Sequence, residues 1–384
     1  MNILYDYQAF EMQDFGGVSK SFCELISNLP STCSYKIGIK ESNNIHLHQS
    51  QLSSNLIYNN LDINNFISKN YFRGKYRLYE FCNRYLTFIP TTHNNNKNYS
   101  IKLLKEQQYD IFHPTFFDDY FLSYLGNKPF VLTIHDMIPE IFPEYYQKDR
   151  QALLKKKLAH KANAIIAVSN QTKEDIIRFL NIPEKKITVI HHGWPQINTI
   201  KESTPRIINE QYFLYVGTRN TYKNFSLLVK EFSKVIEYKP TIKLVCTGPD
   251  FSKDELYLFK QYNITNNVIK LKATDKDLSI LYSQAIAFIF PSLYEGFGMP
   301  ILEAYAYHCP VILNNSSCFP EIAGDAAIYF SMQGNNSNLS QKMIQIINYT
   351  PEERKRLIEK GTKQLSFYSW KESAEKLFKV YSSL

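Results

Sequence analysis

The chain has 384 residues, a formal net charge of +8 and 44% hydrophobic residues. That length exceeds what one hydrophobic core fills, so two domains are expected, and the apolar content excludes a disordered chain. No stretch approaches the ~20 apolar residues of a membrane-spanning helix, and the opening MNILYDYQAF lacks the basic head and apolar core of a secretory leader. A cytoplasmic protein is therefore expected, with its six cysteines, none in a CxxC pair, as reduced packing residues.

The first apolar run, NILYDY at 2–7, reads as a strand, and the spacing of Val18, Phe22, Leu25, Ile26 and Leu29 as the helix that follows it. Between them lies DFGGVSK at 14–20. Gly16 and Gly17 there allow the backbone to approach a phosphate closely; a plain turn is the alternative, and the spacing is not the GxGxxG of a dinucleotide site. From 69 to 105 eight Lys and Arg residues face Glu80 alone, which concentrates nearly the whole positive surplus in one segment. Such a segment should face something anionic. Within it, YFRGKYRLYEFCNRYLTFI at 71–89 interleaves basic with aromatic and aliphatic residues. That pattern suits a helix lying on an anionic membrane surface, or an ordinary helix with its apolar face in a core.

Further strands are expected at DIFH 110–113, FVLTIHD 130–136, AIIAVS 164–169 and ITVIHH 187–192. His135 ends one of them, where a cleft-facing imidazole can hydrogen-bond a hydroxyl; a structural role is the other reading. His46 with His48, and His191 with His192, lack neighbouring ligands at metal-site spacing, so no metal is assigned. GWPQINTIKESTPRIINEQ, 193–211, is polar and proline-punctuated and reads as an interdomain linker.

The second half repeats the alternation, with strands at YFLYVG 212–217, IKLVCTG 242–248, NVIKLKA 267–273, AFIFPS 287–292 and PVILNN 310–315. Arg219 and Lys223 lie in the loop after the first of these, ahead of the helix marked by Phe225, Leu228, Val229, Phe232, Val235 and Ile236. Both cations could reach a diphosphate and stabilise charge that grows as it leaves. The next loop motif is YEGFGMPILEAYAYHCP at 294–310. Pro300 suits a first helical position, which puts Glu295 in the loop, Glu303 in the first turn, and the amides of Gly296, Phe297, Gly298 and Met299 free to meet ligand oxygens. Carboxylates repel phosphate but accept hydrogen bonds from hydroxyls. A nucleotide diphosphate sugar meets both demands; helix-end and loop-capping roles for the two glutamates are the alternative. Alternating strands and helices from end to end indicate an α/β protein of two Rossmann-like domains facing each other across a cleft.

These residues resemble a known family. The E-x7-E spacing of Glu295 and Glu303, FIFPSLYEGFGMPILEAYAYHCPVI around it, FPEIAGDAAIYF, the Gly-Gly loop, VLTIHD and the closing SWKESAEKLFKVY together resemble the retaining family-4 glycosyltransferases of GT-B fold, in particular mannosyltransferase-like members of bacterial surface-polysaccharide assembly. The resemblance implies an acceptor-binding domain over 1–199, a nucleotide-sugar-binding domain over 200–365 and a final helix over 366–384 that crosses back to the first domain. It implies that Glu295 and the following amides hold the donor sugar and Glu303 the ribose. Arg219, Lys223, Gly16 and Gly17 would grip the diphosphate, and His135 would lie against the sugar. Tyr222 stands where many members carry an Arg, which makes the role of Arg219 less settled than that of Lys223. The implied reaction moves a sugar, from a GDP-sugar before a UDP-sugar, to a lipid-linked glycan in O-antigen or capsule synthesis, with no cofactor, at the inner face of the plasma membrane. A sugar-nucleotide epimerase of the same fold is a rival reading. A nucleic-acid-binding protein using residues 69–105 is another, and it leaves the donor motifs unexplained.

Overall fold

The computed structural model describes residues 1–52, 92–147, 149–194, 204–219, 221–334 and 336–384. The first half holds strands β1 (Asn2–Tyr5), β2 (Ser34–Ile37), β3 (Ile111–His113), β4 (Val131–Ile134), β5 (Ala164–Ala167) and β6 (Ile187–Val189). All but β2 sit inside the expected apolar runs. β2 has the sequence SYKI and only Ile37 is buried, as befits an edge strand with no apolar run to announce it. Parallel pairing gives β2-β1-β3 and β4-β5-β6. A parallel bridge from Phe112 to Phe130 joins the two sets.

The second half holds β7 (Tyr212–Tyr215), β8 (Lys243–Thr247), β9 (Val268–Leu271), β10 (Ala287–Phe290), β11 (Val311–Asn314) and β12 (Ile328–Phe330). They form one parallel sheet in the order β12-β11-β10-β7-β8-β9. The runs VLTI, YFLY, AFIF and VILN are buried throughout, because helices cover both faces of a parallel sheet. Strand order reverses between β1 and β3 in one sheet and between β7 and β10 in the other. Ligands of such sheets bind beyond the strand ends at these reversals.

The helix Trp370–Ser382 returns to the first domain, as expected. Its Leu377, Val380 and Tyr381 share a core with Ile3, Tyr5 and Phe22, each fully buried apolar side chain contributing about 1.5–3 kcal/mol. The Tyr381 hydroxyl lies 2.8 Å from that of Tyr5 and 2.6 Å from Nδ1 of His113, so this helix completes the polar centre of the first sheet. Of the expected linker, residues 195–203 lie outside the described residues. So do residues 71–89, and with them the surface-helix expectation. The described end of the basic segment is engaged within its own domain. Lys97 is 3.4 Å from Asp118, Lys102 pairs with Glu106 at 3.8 Å, and Lys105 lies over Tyr124. Among the described residues the cysteines are free and buried, and no helix is long and apolar enough to cross a membrane.

Candidate active site

β10 ends at the sheet reversal, and the chain passes through Tyr294–Gly298 into the helix Met299–Ala306. Gly298 caps this helix with φ at +86°, a left-handed conformation that costs glycine nothing. The cap starts the helix at Met299, so Pro300 is its second residue rather than its first, and Glu303 falls in the second turn rather than the first. Among the described residues the amides of Gly296, Phe297, Gly298 and Met299 have no acceptor, which leaves a cluster of donors at a helix N-terminus.

Glu295 is only 8% exposed, and its Oε1 accepts from the Lys223 ammonium at 2.6 Å. Lys223 comes from the short turn Thr221–Lys223 after β7, the other side of the same sheet reversal. Its ammonium also lies 5.5 Å from the centre of the Phe290 ring. Ser317 fixes the glutamate's backbone, accepting from its amide at 3.2 Å and donating to its carbonyl at 2.7 Å. A charge pair this buried is held in place by its partners, and removal of either one leaves the other uncompensated.

Arg219, expected beside Lys223, is engaged elsewhere. Its Nε donates to Glu255 at 2.6 Å, its Nη2 donates to the carbonyls of Pro249 and Asp250, and its guanidinium lies 4.7 Å from the centre of the Phe251 ring. Its side chain is 3% exposed. These bonds tie the loops after β7 and β8 together. Tyr222 is buried and stacks on Phe142 of the first domain at 6.1 Å.

The first domain closes on this loop. A Cβ on Gly296 would fall 1.7 Å from the carbonyl oxygen of His135, so only glycine fits there. The Gly296 carbonyl in turn accepts from Ser169 Oγ at 2.7 Å and Thr172 Oγ1 at 3.2 Å. Gly17 abuts the Met299 methyl, and Lys20 reaches across the cleft to Glu303 at 3.0 Å. Glu321 clasps the opposite side. It accepts from the amides of Asn170 and Gln171 and lies 2.6 Å from His191 Nε2. The structure thus brings Gly17, His135, Lys223, Glu295, Gly296, Phe297, Gly298, Met299 and Glu303 to one cleft, with Gly16 beside Gly17, and sets Arg219 apart. Phe297 contributes its ring as packing, edge-on to His192 at 4.9 Å.

His135 stacks on His192 with ring centres 5.7 Å apart and meets Phe22 edge-on. Burial, helped by the charge of Lys155, lowers its pKa to about 4, so the imidazole is neutral at physiological pH. Among the described residues its buried Nε2 has no hydrogen-bond partner, and an orphan of this kind is expected to be met by a ligand or water. Lys20, Ser317, Ser169, Thr172 and Glu321 escape the sequence reading. Lys20 and Glu321 stand inside motifs quoted above, but nothing in their spacing marks an interdomain bond.

The model of glycosyltransferase family 4 matches residues 71–195, and that of glycosyl transferases group 1 matches residues 196–364. The chain belongs to these glycosyltransferases. Among similar glycosyltransferases, the O-antigen chain mannosyltransferase RfbU of Salmonella typhimurium is 30% identical over 200 residues, 52% of this chain and 55% of that protein. O-antigen chain mannosyltransferase B of Escherichia coli is 31% identical over 213 residues, 52% of this chain and 56% of that one. The chain spans about half the length of the curated relatives it matches. Sucrose-phosphate synthase from Thermosynechococcus elongatus superposes on all of this chain and 98% of its own with a TM-score of 0.70 at 18% identity. Anabaena Alr3699/HepE, solved with UDP-glucose, covers both chains fully with a TM-score of 0.70 at 14% identity. These likenesses show the GT-B fold, two Rossmann-like domains about a cleft.

Proposed function

We propose that the chain is a retaining glycosyltransferase that moves a sugar from a nucleotide diphosphate sugar to a glycan acceptor. The observation that carries this reading is the Lys223–Glu295 pair, 2.6 Å apart, set beside the four acceptor-free amides of residues 296–299 at the sheet reversal. A cation and free amides suit a diphosphate, while a carboxylate suits hydroxyls, and the pair supplies both within one contact. Glu295 and the loop amides hold the donor sugar, and Glu303 takes the ribose hydroxyls in place of Lys20. Gly16 and Gly17 close over the diphosphate beside Lys223. Arg219 supports this grip from a distance, by fixing the loop after β7. The neutral His135 contributes one hydrogen bond, not a charge.

The reaction proceeds on one face. The acceptor hydroxyl bonds to the anomeric carbon from the side on which the diphosphate leaves, the electron pair of the breaking C–O bond goes to the diphosphate, and a phosphate oxygen takes the hydroxyl proton. Lys223 stabilises the charge that grows on the departing group, an effect of about 3 kcal/mol for a single such donor. The names of the relatives above favour a GDP-mannose-type donor, with UDP-sugars next, and an O-antigen or capsule glycan as acceptor. A lipid-linked acceptor and a position at the inner face of the plasma membrane, with residues 69–105 toward the surface, belong to the same reading. One further relative is named for transfer to a sugar-diphospho-undecaprenol.

Thermal stabilisation across UDP, GDP, ADP, dTDP and CMP tests the donor site, since a ligand at 100 times its dissociation constant adds about 2.7 kcal/mol. One diphosphate should stand out; a flat panel would remove the donor assignment. Retention is tested by the anomeric configuration of the product in NMR, and an inverted product would refute the same-face step.

A further inference from the structure

A second cavity, of 390 Å3, opens in the first domain, within the ~300–1,000 Å3 range of small-molecule sites. Its walls come from the loops after β1 and β3, which flank that sheet's own order reversal, and from the start of the helix Gln151–Lys161. None of its residues belongs to the donor assignment above.

The floor is aromatic. Tyr7, Phe116 and Phe117 line it, the two phenylalanine rings 4.6 Å apart at 42°. The rim carries three carboxylates, Glu11, Asp118 and Asp149, beside the guanidinium of Arg150, with Lys97 behind Asp118. Buried polar groups fix the geometry. Gln8, 5% exposed, donates from Nε2 to Asp6 Oδ2 at 2.6 Å and accepts the Asp118 amide at 2.7 Å. Asp6 is fully buried and also accepts from the Thr115 amide and hydroxyl, at 2.8 and 2.7 Å. The Asp118 carboxylate is steadied by the Tyr120 amide at 3.0 Å and Lys97 at 3.4 Å, yet its side chain stays 39% exposed. Lys155 lies 5.4 Å from the centre of the Phe117 ring and donates to the Asp136 carbonyl at 2.9 Å, so one side chain supports both the cavity floor and the His135 turn.

Aromatic faces pack against the apolar C–H face of a sugar ring, and ionised carboxylates accept from its hydroxyls. An acidic rim repels a phosphate or a uronate, and a misplaced like charge costs several kcal/mol. We propose that this cavity binds the terminal sugar of the acceptor and selects an uncharged pyranose, excluding uronic acids and the diphosphate of any lipid carrier. This rests on the glycosyltransferase reading and narrows its acceptor to a chemical class.

Saturation-transfer NMR on the whole chain tests it, with methyl glycosides of glucose, galactose and mannose as probes beside the corresponding methyl uronosides. At least one neutral glycoside should receive saturation, and its uronoside should bind at least tenfold more weakly. Phe116→Ala should weaken the neutral probe at least fivefold. Asp118→Asn should narrow the neutral-to-uronate ratio, a charge effect that a purely structural role would not produce. Silent neutral glycosides, uronosides that bind as well, or variants that change nothing would each overturn the proposal. The nucleotide panel is run on the same samples. Nucleotide binding without sugar binding removes the acceptor cavity alone, and sugar binding without any nucleotide binding removes the transferase reading while leaving the cavity's preference standing.

Discussion

The wall that the second domain contributes to the cleft holds its cation in a contact pair, Lys223 with Glu295, while Arg219 is paired with Glu255 away from it. The first domain's wall presents His135, His192 and Phe22, with both imidazoles kept neutral by burial. Two first-domain side chains reach over to carboxylates of the second, Lys20 to Glu303 and His191 to Glu321. The contrast separates the two duties of a transfer site. On the proposed reading, the cation that meets a departing diphosphate is laid out in advance on one side, and the opposite side offers shape and single hydrogen bonds.

The sharpest way to break this division is Lys223→Ala. Turnover should fall about a hundredfold or more, with a smaller change in KM, as expected when an interaction made chiefly in the transition state is lost; near-normal turnover in a steady-state assay would move the diphosphate elsewhere. Glu303→Ala should act on the ground state instead, weakening nucleotide affinity about tenfold, or about 1.4 kcal/mol. Calorimetric titration checks this, and unchanged affinity would leave Glu303 as a partner of Lys20 only.

Acid tests the neutral wall. The pKa values of His113 and His135 are lowered by burial to about 3 and about 4, and that of His192 lies well below the ordinary value. Between the unfolded value near 6.5 and these folded values the unfolded chain binds more protons. The stability is therefore complete above about pH 6.5 and is lost as pH falls, by at most about 1.4 kcal/mol per pH unit for each histidine. Melting curves from pH 7.5 to 5 should show a falling midpoint, and a flat profile would mean these rings are solvated. The smallest effect on turnover is expected from Arg219→Lys. Turnover should stay within about threefold, while loss of the forked bonds to Glu255, Pro249 and Asp250 lowers stability by about 1–3 kcal/mol. A large loss of turnover without destabilisation would return Arg219 to the diphosphate.

The centres of the two sheets were legible because strands such as VLTI, YFLY, AFIF and VILN are buried throughout and read as unbroken apolar runs. β2 was not, since SYKI exposes most of its residues, and neither was β12, IYF, at the edge of the second sheet. Glu295, Glu303 and the glycines between them were legible for a related reason: free amides, a proline and spaced carboxylates are local facts of sequence. Partners were not. That Arg219 turns to Glu255 while Lys223 turns to Glu295 depends on how the loops after β7, β8 and β10 meet. The same holds for Gly296, whose missing side chain is explained only by the His135 carbonyl against it, and for Phe116, Phe117 and Asp118, whose common cavity is assembled by the fold rather than by any spacing.

The helix Trp370–Ser382 has a consequence for how the protein is made. A ribosome that has released the first 190 residues has delivered every strand of the first sheet, yet the phenol that bonds Tyr5 and His113 is still unsynthesised. Domains usually mature in order of synthesis; here the first sheet waits for a helix that follows the whole second sheet, and Ile3 and Phe22 lack its cover until Trp370–Ser382 has been made. Arrested nascent chains ending before Trp370 should stay open to protease in the β1–β3 region and become resistant once Tyr381 has emerged. Resistance already present in the shorter chains would show that the first sheet sets without its final helix.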